Sequence, residues 1–262
     1  TQAVEVLPEV RDHLLKLAWP LDLLCGEVTR HIQYGTVQSA IHTNTSWDQA
    51  RFEVPAHQWI SAAEGDAGVA LLSDSRYGYD ATRTRDAAGR PATTVRLTAV
   101  KGARYPDPVA DEGLHRFRYA VRPHGADLSP LVRAGYAMRH PVRLVGGSGP
   151  GEGRVGSVVS SSHPGVVVEV VKAAEDGSGD TIARVYEALG SRTTADLRFG
   201  FAVGDVRVVD LLEDERAGLP DVPHSVDGAT VIVSLRPFQI ATLRFSGSVD
   251  GRPLVPPGTL QP

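Results

Sequence analysis

The chain has 262 residues, 42% of them hydrophobic, which is enough to fill one large core or two ordinary ones. A formal net charge of -4 argues against a nucleic-acid partner, because a strongly basic face would need an equally acidic counterweight. Cys25 is the single cysteine, so there is no disulfide framework and no thiolate metal cluster; no apolar run reaches a membrane span or a secretory segment, and a soluble cytoplasmic protein without membrane partners is expected. Lysine occurs at Lys16, Lys101 and Lys172 and arginine supplies the other 24 basic residues, a bias of coding composition rather than of function. The chain opens on Thr1 with Met138 as its one methionine, which fits an internal piece of a longer protein at least as well as processing of an intact one.

Period-two alternation dominates from the N-terminal side onward. Residues 68–72 form an apolar strand, and the polar cluster 73–80 behind it reads as a tight turn. Residues 94–99 and 117–122 alternate apolar with polar side chains, as half-buried antiparallel strands do. One helix is expected, with Asp127 or Ser129 as N-cap, Pro130 in the first turn, an apolar side of Leu131, Val132, Ala134 and Met138, and Pro141 as its stop. Six glycines between 145 and 156 mark a flexible linker or long loop. The expected domains are a large β-sandwich over 1–145, a linker over 146–156 and a smaller C-terminal β-sandwich over 157–262. In the second, 166–171 is a nearly continuous β-branched run between Pro164-Gly165 and the turn-rich 175–180, which predicts a core strand entering a hairpin. Further strands are expected at 182–188, 194–201, 205–212, 229–235 and 238–245. The fold class is therefore all-β, an antiparallel sandwich rather than a parallel α/β sheet.

Catalytic signatures are missing: the sequence has no nucleophile elbow, no phosphate-cradling loop, no His-Glu-x-x-His and no dinucleotide fingerprint. His42 and His57, fifteen apart, are the nearest approach to a zinc pair, and structural histidines are the better reading. Three polar stretches remain. The loop before the 117–122 strand carries Asp107, Asp111 and Glu112, stiffened by Pro106 and Pro108 and followed by His115. Paired carboxylates are the apparatus of glycoside hydrolysis, yet before a strand they are more often turn formers. The 73–80 turn offers Arg76 and Tyr77 to sugar hydroxyls. Residues 42–59 combine Trp47 and Trp59 with Asn44, Asp48 and Arg51, which suits either carbohydrate recognition or a pinned sandwich corner.

Together these stretches resemble the C-terminal β-region of glycoside hydrolase family 38 α-mannosidases of the cytosolic type. The matching blocks run in order through Asn44-Thr45-Ser46-Trp47-Asp48, Ala50-Arg51-Phe52-Glu53-Val54, His57-x-Trp59, Gly68-Val69-Ala70-Leu71-Leu72-x-Asp74 and Tyr77-Gly78. They continue through Tyr105-Pro106-Asp107-Pro108-x-Ala110-Asp111-x-Gly113, Phe117-x-Tyr119-Ala120 and Pro123-His124. The second unit adds Val167-Val168-Glu169-Val170-Val171-Lys172, Arg184-Val185-Tyr186-Glu187-Ala188, Asp210-Leu211-Leu212-Glu213 and Pro237-Phe238-Gln239. The resemblance implies a galactose-mutarotase-like supersandwich portion followed by a smaller sandwich. It also implies a parent enzyme that hydrolyses terminal α-mannosides with retention and keeps its nucleophile and zinc on an N-terminal α/β domain. No segment here matches that domain's motifs, so no nucleophile or zinc ligand is expected in this chain, and its partners are that catalytic domain and an α-mannoside or oligosaccharide; homo-oligomerisation is left open. By the same resemblance Asp107, Asp111, Glu112, His115, Arg76 and Tyr77 are the residues expected to line the substrate. Asp111-Glu112-Gly113 lacks the arginine that the Golgi and lysosomal branches carry in an Asp-Asp-x-Arg-Gly pattern, so that arginine's role is not carried over. The alternative is an independent carbohydrate-binding β-sandwich built on Trp47 and Trp59.

Overall fold

The computed structural model describes residues 1–7, 12–144, 157–201 and 203–246. The chain divides into two compact units, Thr1–Leu144 and Val145–Pro262. The glycine-rich segment 146–156 lies outside the described residues. The fold is all-β with antiparallel pairing throughout, as the alternation predicts.

The first unit holds β1 (Gln2–Val6), β2 (Leu14–Leu21), β3 (Glu27–Ile32), β4 (Gly35–Ala40), α1 (Ser46–Ala50), β5 (Val54–Pro55), β6 (Trp59–Glu64) and β7 (Ala67–Ser73). It continues with β8 (Gly78–Arg85), β9 (Pro91–Lys101), β10 (Gly113–Phe117), β11 (Tyr119–His124) and α2 (Ser129–Arg139). A five-stranded sheet, β11-β7-β6-β3-β4, faces a four-stranded sheet, β2-β9-β8-β5, and β1 pairs with β10 in a two-stranded ribbon. The core between the sheets takes Val28, Ile60, Ala62 and Leu71 from one and Tyr79, Val95 and Leu97 from the other. A second cluster of Val6, Ala99, Val100 and Phe117 closes under the ribbon.

Three features depart from the sequence reading. Residues 117–122 are not one strand: Phe117 ends β10 and Tyr119 begins β11, which pairs with β7. The switch falls at Arg118, whose N–H donates to Asp74 Oδ1 at 3.1 Å while its Nε donates to Oδ2 at 3.0 Å. A ladder donor spent on a carboxylate ends the pairing there. The predicted helix is present, but its N-cap is Leu128, which makes no side-chain cap. Asp127 instead accepts from the Ser129 N–H at 2.8 Å one residue further out. The short α1 has no apolar side to betray it; a capping box between Thr45 and Asp48 forms it.

The second unit is a sandwich of two four-stranded sheets. Its strands are β12 (Val159–Ser161), β13 (Val166–Ala173), β14 (Thr181–Glu187), β15 (Thr193–Phe199), β16 (Val206–Val209), β17 (His224–Asp227), β18 (Thr230–Leu235) and β19 (Ile240–Phe245), in orders β12-β15-β18-β17 and β13-β14-β19-β16. Leu197, Val231 and Val233 of one sheet pack against Ala183, Val185 and Leu243 of the other. The valine run forms a hairpin with β14 but is an edge strand rather than a core strand. A bulge between Val168 and Val170 resets the face parity, so Val168 and Val171, three apart, both pack on the core. The strand expected at 205–212 stops at Val209 because the Asp210 carboxylate accepts the N–H groups of Leu212 and Asp214 and folds a turn.

Candidate functional site

The loop from Lys101 to Gly113 is shaped by its own acids. Asp107 Oδ1 accepts the Val109 N–H at 3.0 Å, and the Asp107 carbonyl accepts that of Ala110. Asp111 sits in the left-handed region at φ 60°, and its Oδ2 accepts the Lys101 N–H at 3.0 Å. These carboxylates hold the backbone, as turn-forming aspartates do. Glu112, half-buried, donates its N–H to the Val109 carbonyl at 3.2 Å. His115 is already on β10, and its Nε2 lies 2.9 Å from the Asp111 carbonyl. A carbonyl only accepts, so Nε2 carries the proton and Nδ1 presents its lone pair, 3.4 Å from an Arg76 guanidinium nitrogen.

Arg76 is positioned from behind by Ser73, whose Oγ accepts the Arg76 N–H at 3.0 Å, and from below by Phe117, whose ring centroid is 4.7 Å from the guanidinium carbon. Its Nε is buried without a hydrogen-bond partner, and among the described residues it forms no ion pair. A half-buried guanidinium with unspent donors is suited to hold hydroxyl or carboxylate oxygens. Thus the structure brings Arg76, His115 and the Asp111 backbone together.

Tyr77 joins a different group. Its hydroxyl accepts from an Arg139 guanidinium nitrogen at 3.0 Å, and its ring stacks on His57 with centroids 6.1 Å apart. His57 stacks in turn on His31 at 5.6 Å, and His31 packs against Trp59. His31 is 2% exposed and neither ring nitrogen has a hydrogen-bond partner. Burial, then the neighbouring His57 and Arg139, lowers its pKa to about 3, so it is neutral. Sequence reasoning missed Arg139 and the Asp74–Arg118 pair, because nothing in local spacing announces partners 62 and 44 residues away.

The aromatic stretch separates into inside and outside. Trp59 is 0% exposed in the core, whereas Trp47 is 86% and Phe52 80% exposed. Trp47 and Trp59 therefore do not make a shared sugar platform. His42 lies 3.3 Å from Asp48, away from the stack that holds His57.

With this geometry in view, known proteins supply a frame. Residues 1–109 match the glycosyl hydrolases family 38 C-terminal domain, and residues 165–243 match the family 38 C-terminal beta sandwich domain. The chain belongs to glycosyl hydrolase family 38, in its C-terminal region. Among family relatives, alpha-mannosidase 2C1 of Mus musculus is 33% identical over 233 residues, 87% of this chain and 21% of that protein. Alpha-mannosidase G of Dictyostelium discoideum is 29% identical over 243 residues, 88% of this chain and 21% of that protein. The chain thus spans about a fifth of the length of the relatives it matches. The crystal structure of an alpha-mannosidase from Enterococcus faecalis V583 superposes with a TM-score of 0.68 at 16% identity, over 90% of this chain and 26% of that one, and shares the fold. Arg76, Tyr77 and Asp107 lie within the family 38 match that ends at residue 109, whereas Asp111, Glu112 and His115 lie just beyond it.

Proposed function

We propose that this chain is the C-terminal portion of a cytoplasmic α-mannosidase that hydrolyses terminal α-D-mannosides with retention, and that it scaffolds and partly lines an active site built on a zinc-bearing α/β domain. The observation that carries this reading is the identity of 33% over 87% of the chain with a protein named alpha-mannosidase 2C1. Retention requires a carboxylate nucleophile and a second carboxylate as acid/base. Asp107 and Asp111 have oxygens bound to backbone amides, so they shape the lining loop rather than attack the sugar. Among the described residues no three His, Cys, Asp or Glu side chains converge as a zinc site demands. The described residues do not fit the metal by themselves. Its own contribution is Arg76, fixed by Phe117 and His115 with donors left to hold sugar hydroxyls.

The test has two arms. The isolated chain, given zinc or cobalt, is expected not to turn over an aryl α-mannoside; robust turnover would overturn its non-catalytic role. In the full-length enzyme Arg76→Ala is expected to lower kcat/KM about 10- to 100-fold, the loss of a charged hydrogen bond. Unchanged kinetics would remove Arg76 from the lining. Product anomers read by NMR at early times check retention.

A further inference from the structure

A groove of about 220 Å³ opens at one edge of the first sandwich, where the segment carrying α1 crosses between β4 and β5, the edge strands of the two sheets. Its floor is the core itself, through Val28 and Ile41. Phe52 lines it while 80% exposed. Around this apolar base stand Asp48, Arg51, Glu53 and Asp80.

Each of these charges is compensated. Asp48 holds Arg51 at 2.7 Å and faces His42 at 3.3 Å. Glu53 and Asp80 share Lys16 at 2.8 and 2.5 Å, and Asp80 also binds Arg96 at 2.7 Å. Asp48 is further fixed by the Thr45 N–H and hydroxyl. A site whose charges cancel gains little from an ionic ligand, yet it presents fixed carboxylate acceptors beside guanidinium donors. That pattern suits hydroxyl groups, which both donate and accept. The aromatic wall suits the C–H face of a ring, since its negative π-face meets positively polarised hydrogens. The volume lies below the roughly 300–1,000 Å³ of drug-sized sites, so one ring fits rather than several.

We infer that this groove is a binding site for a single neutral pyranose of a glycan, with Phe52 as the stacking wall and the Asp48–Arg51 pair as hydroxyl partners. None of Arg76, Tyr77 or the 107–115 loop lines it, so its lining residues differ from those of the proposed active site. Only the choice of mannose as probe rests on the mannosidase reading.

The experiment is titration of the chain with methyl α-D-mannopyranoside, read by tryptophan fluorescence and by saturation-transfer NMR, with methyl α-D-glucopyranoside and glucuronic acid in parallel. A ligand of this size is expected to half-saturate on the order of millimolar. Phe52→Ala is expected to weaken binding about three- to tenfold or more, the worth of an aromatic contact, and Phe52→Tyr to restore it. Arg76→Ala should leave it unchanged. Saturation by the glucoside but not the mannoside would support the groove while counting against the mannosidase reading. No saturation by either neutral sugar, binding of the acid alone, indifference to Phe52→Ala, or loss on Arg76→Ala would each overturn the inference.

Discussion

Glu187 closes β14 with its carboxylate fully buried and, among the described residues, no cation bound to it. Oε1 accepts the Leu189 N–H at 2.9 Å; Oε2 accepts those of Gly190, Ser191 and Phe238 at 2.8, 3.1 and 3.1 Å. One side chain thus ties the turn after β14 to the turn before β19. A net hydrogen bond to an ionised acceptor contributes about 1.5–3 kcal/mol, so four set an upper bound of roughly 6–12 kcal/mol. Water entering the space left by Glu187→Ala recovers part of this, and a loss of at least about 3 kcal/mol is expected. Glu187→Gln keeps an acceptor for the three donors at Oε2 but turns an NH₂ toward the Leu189 N–H, and is expected to cost about half as much. Native-state hydrogen exchange at the β14–β19 ladder reads this unit directly. Protection should fall roughly 100-fold or more for the alanine variant, at 1.4 kcal/mol per tenfold. A fall of less than about fivefold would refute the claim that the carboxylate holds both turns.

His31 titrates near 6.5 when unfolded and about 3 when folded, so stability is fully present above pH 6.5 and is lost as pH falls toward 3, by about 1.4 kcal/mol per pH unit. His31→Phe should remove one proton's worth of slope over that window in urea titrations at several pH values, and equal slopes would count against it. For Asp74, burial raises the pKa but the Arg118 and Ser75 hydrogen bonds outweigh it and the net shift is downward. Asp74→Asn should therefore be less stable than the parent at pH 7, with the gap closing once pH drops through the folded value below about 3.9; a constant gap in chemical denaturation would contradict this. Gly135→Ala should destabilise despite a helix-propensity gain of about 1 kcal/mol, because its Cβ would lie 2.4 Å from Oε1 of the buried Gln58. Tryptophan-monitored denaturation checks the sign.

What was legible in the sequence is what local pattern carries. Strand alternation located β9, β14, β15, β18 and β19 to within three residues, and Pro130 located α2. The ordered blocks pointed to the family where no single motif did. Illegible were events decided by distant partners. Nothing within 117–122 shows that Asp74 will take the Arg118 amide and divert the chain to another sheet. Nothing in a valine run shows that it will lie at a sheet edge or carry a bulge at its centre. Of the residues expected to line substrate, sequence adjacency suggested that Arg76 and Tyr77 act together, yet successive side chains leave a turn in different directions. One meets His115 and Phe117, the other His57 and Arg139. Trp47 and Trp59 parted for the same kind of reason, since β6 carries Trp59 inward and α1 buries no residue.

The ribbon of β1 and β10 joins Gln2 to Phe117. On a translating ribosome adding 5–20 residues per second, that partner arrives roughly 6–23 s after β1 has been made. Until then Val4 and Val6 travel as an unpaired apolar edge, and the cluster of Ala99, Val100 and Phe117 that will cover Val6 does not yet exist. The stretch of synthesis between β1 and β10 is therefore when β1 waits for its partner strand, and slowing codons placed before residue 113 would lengthen that exposure.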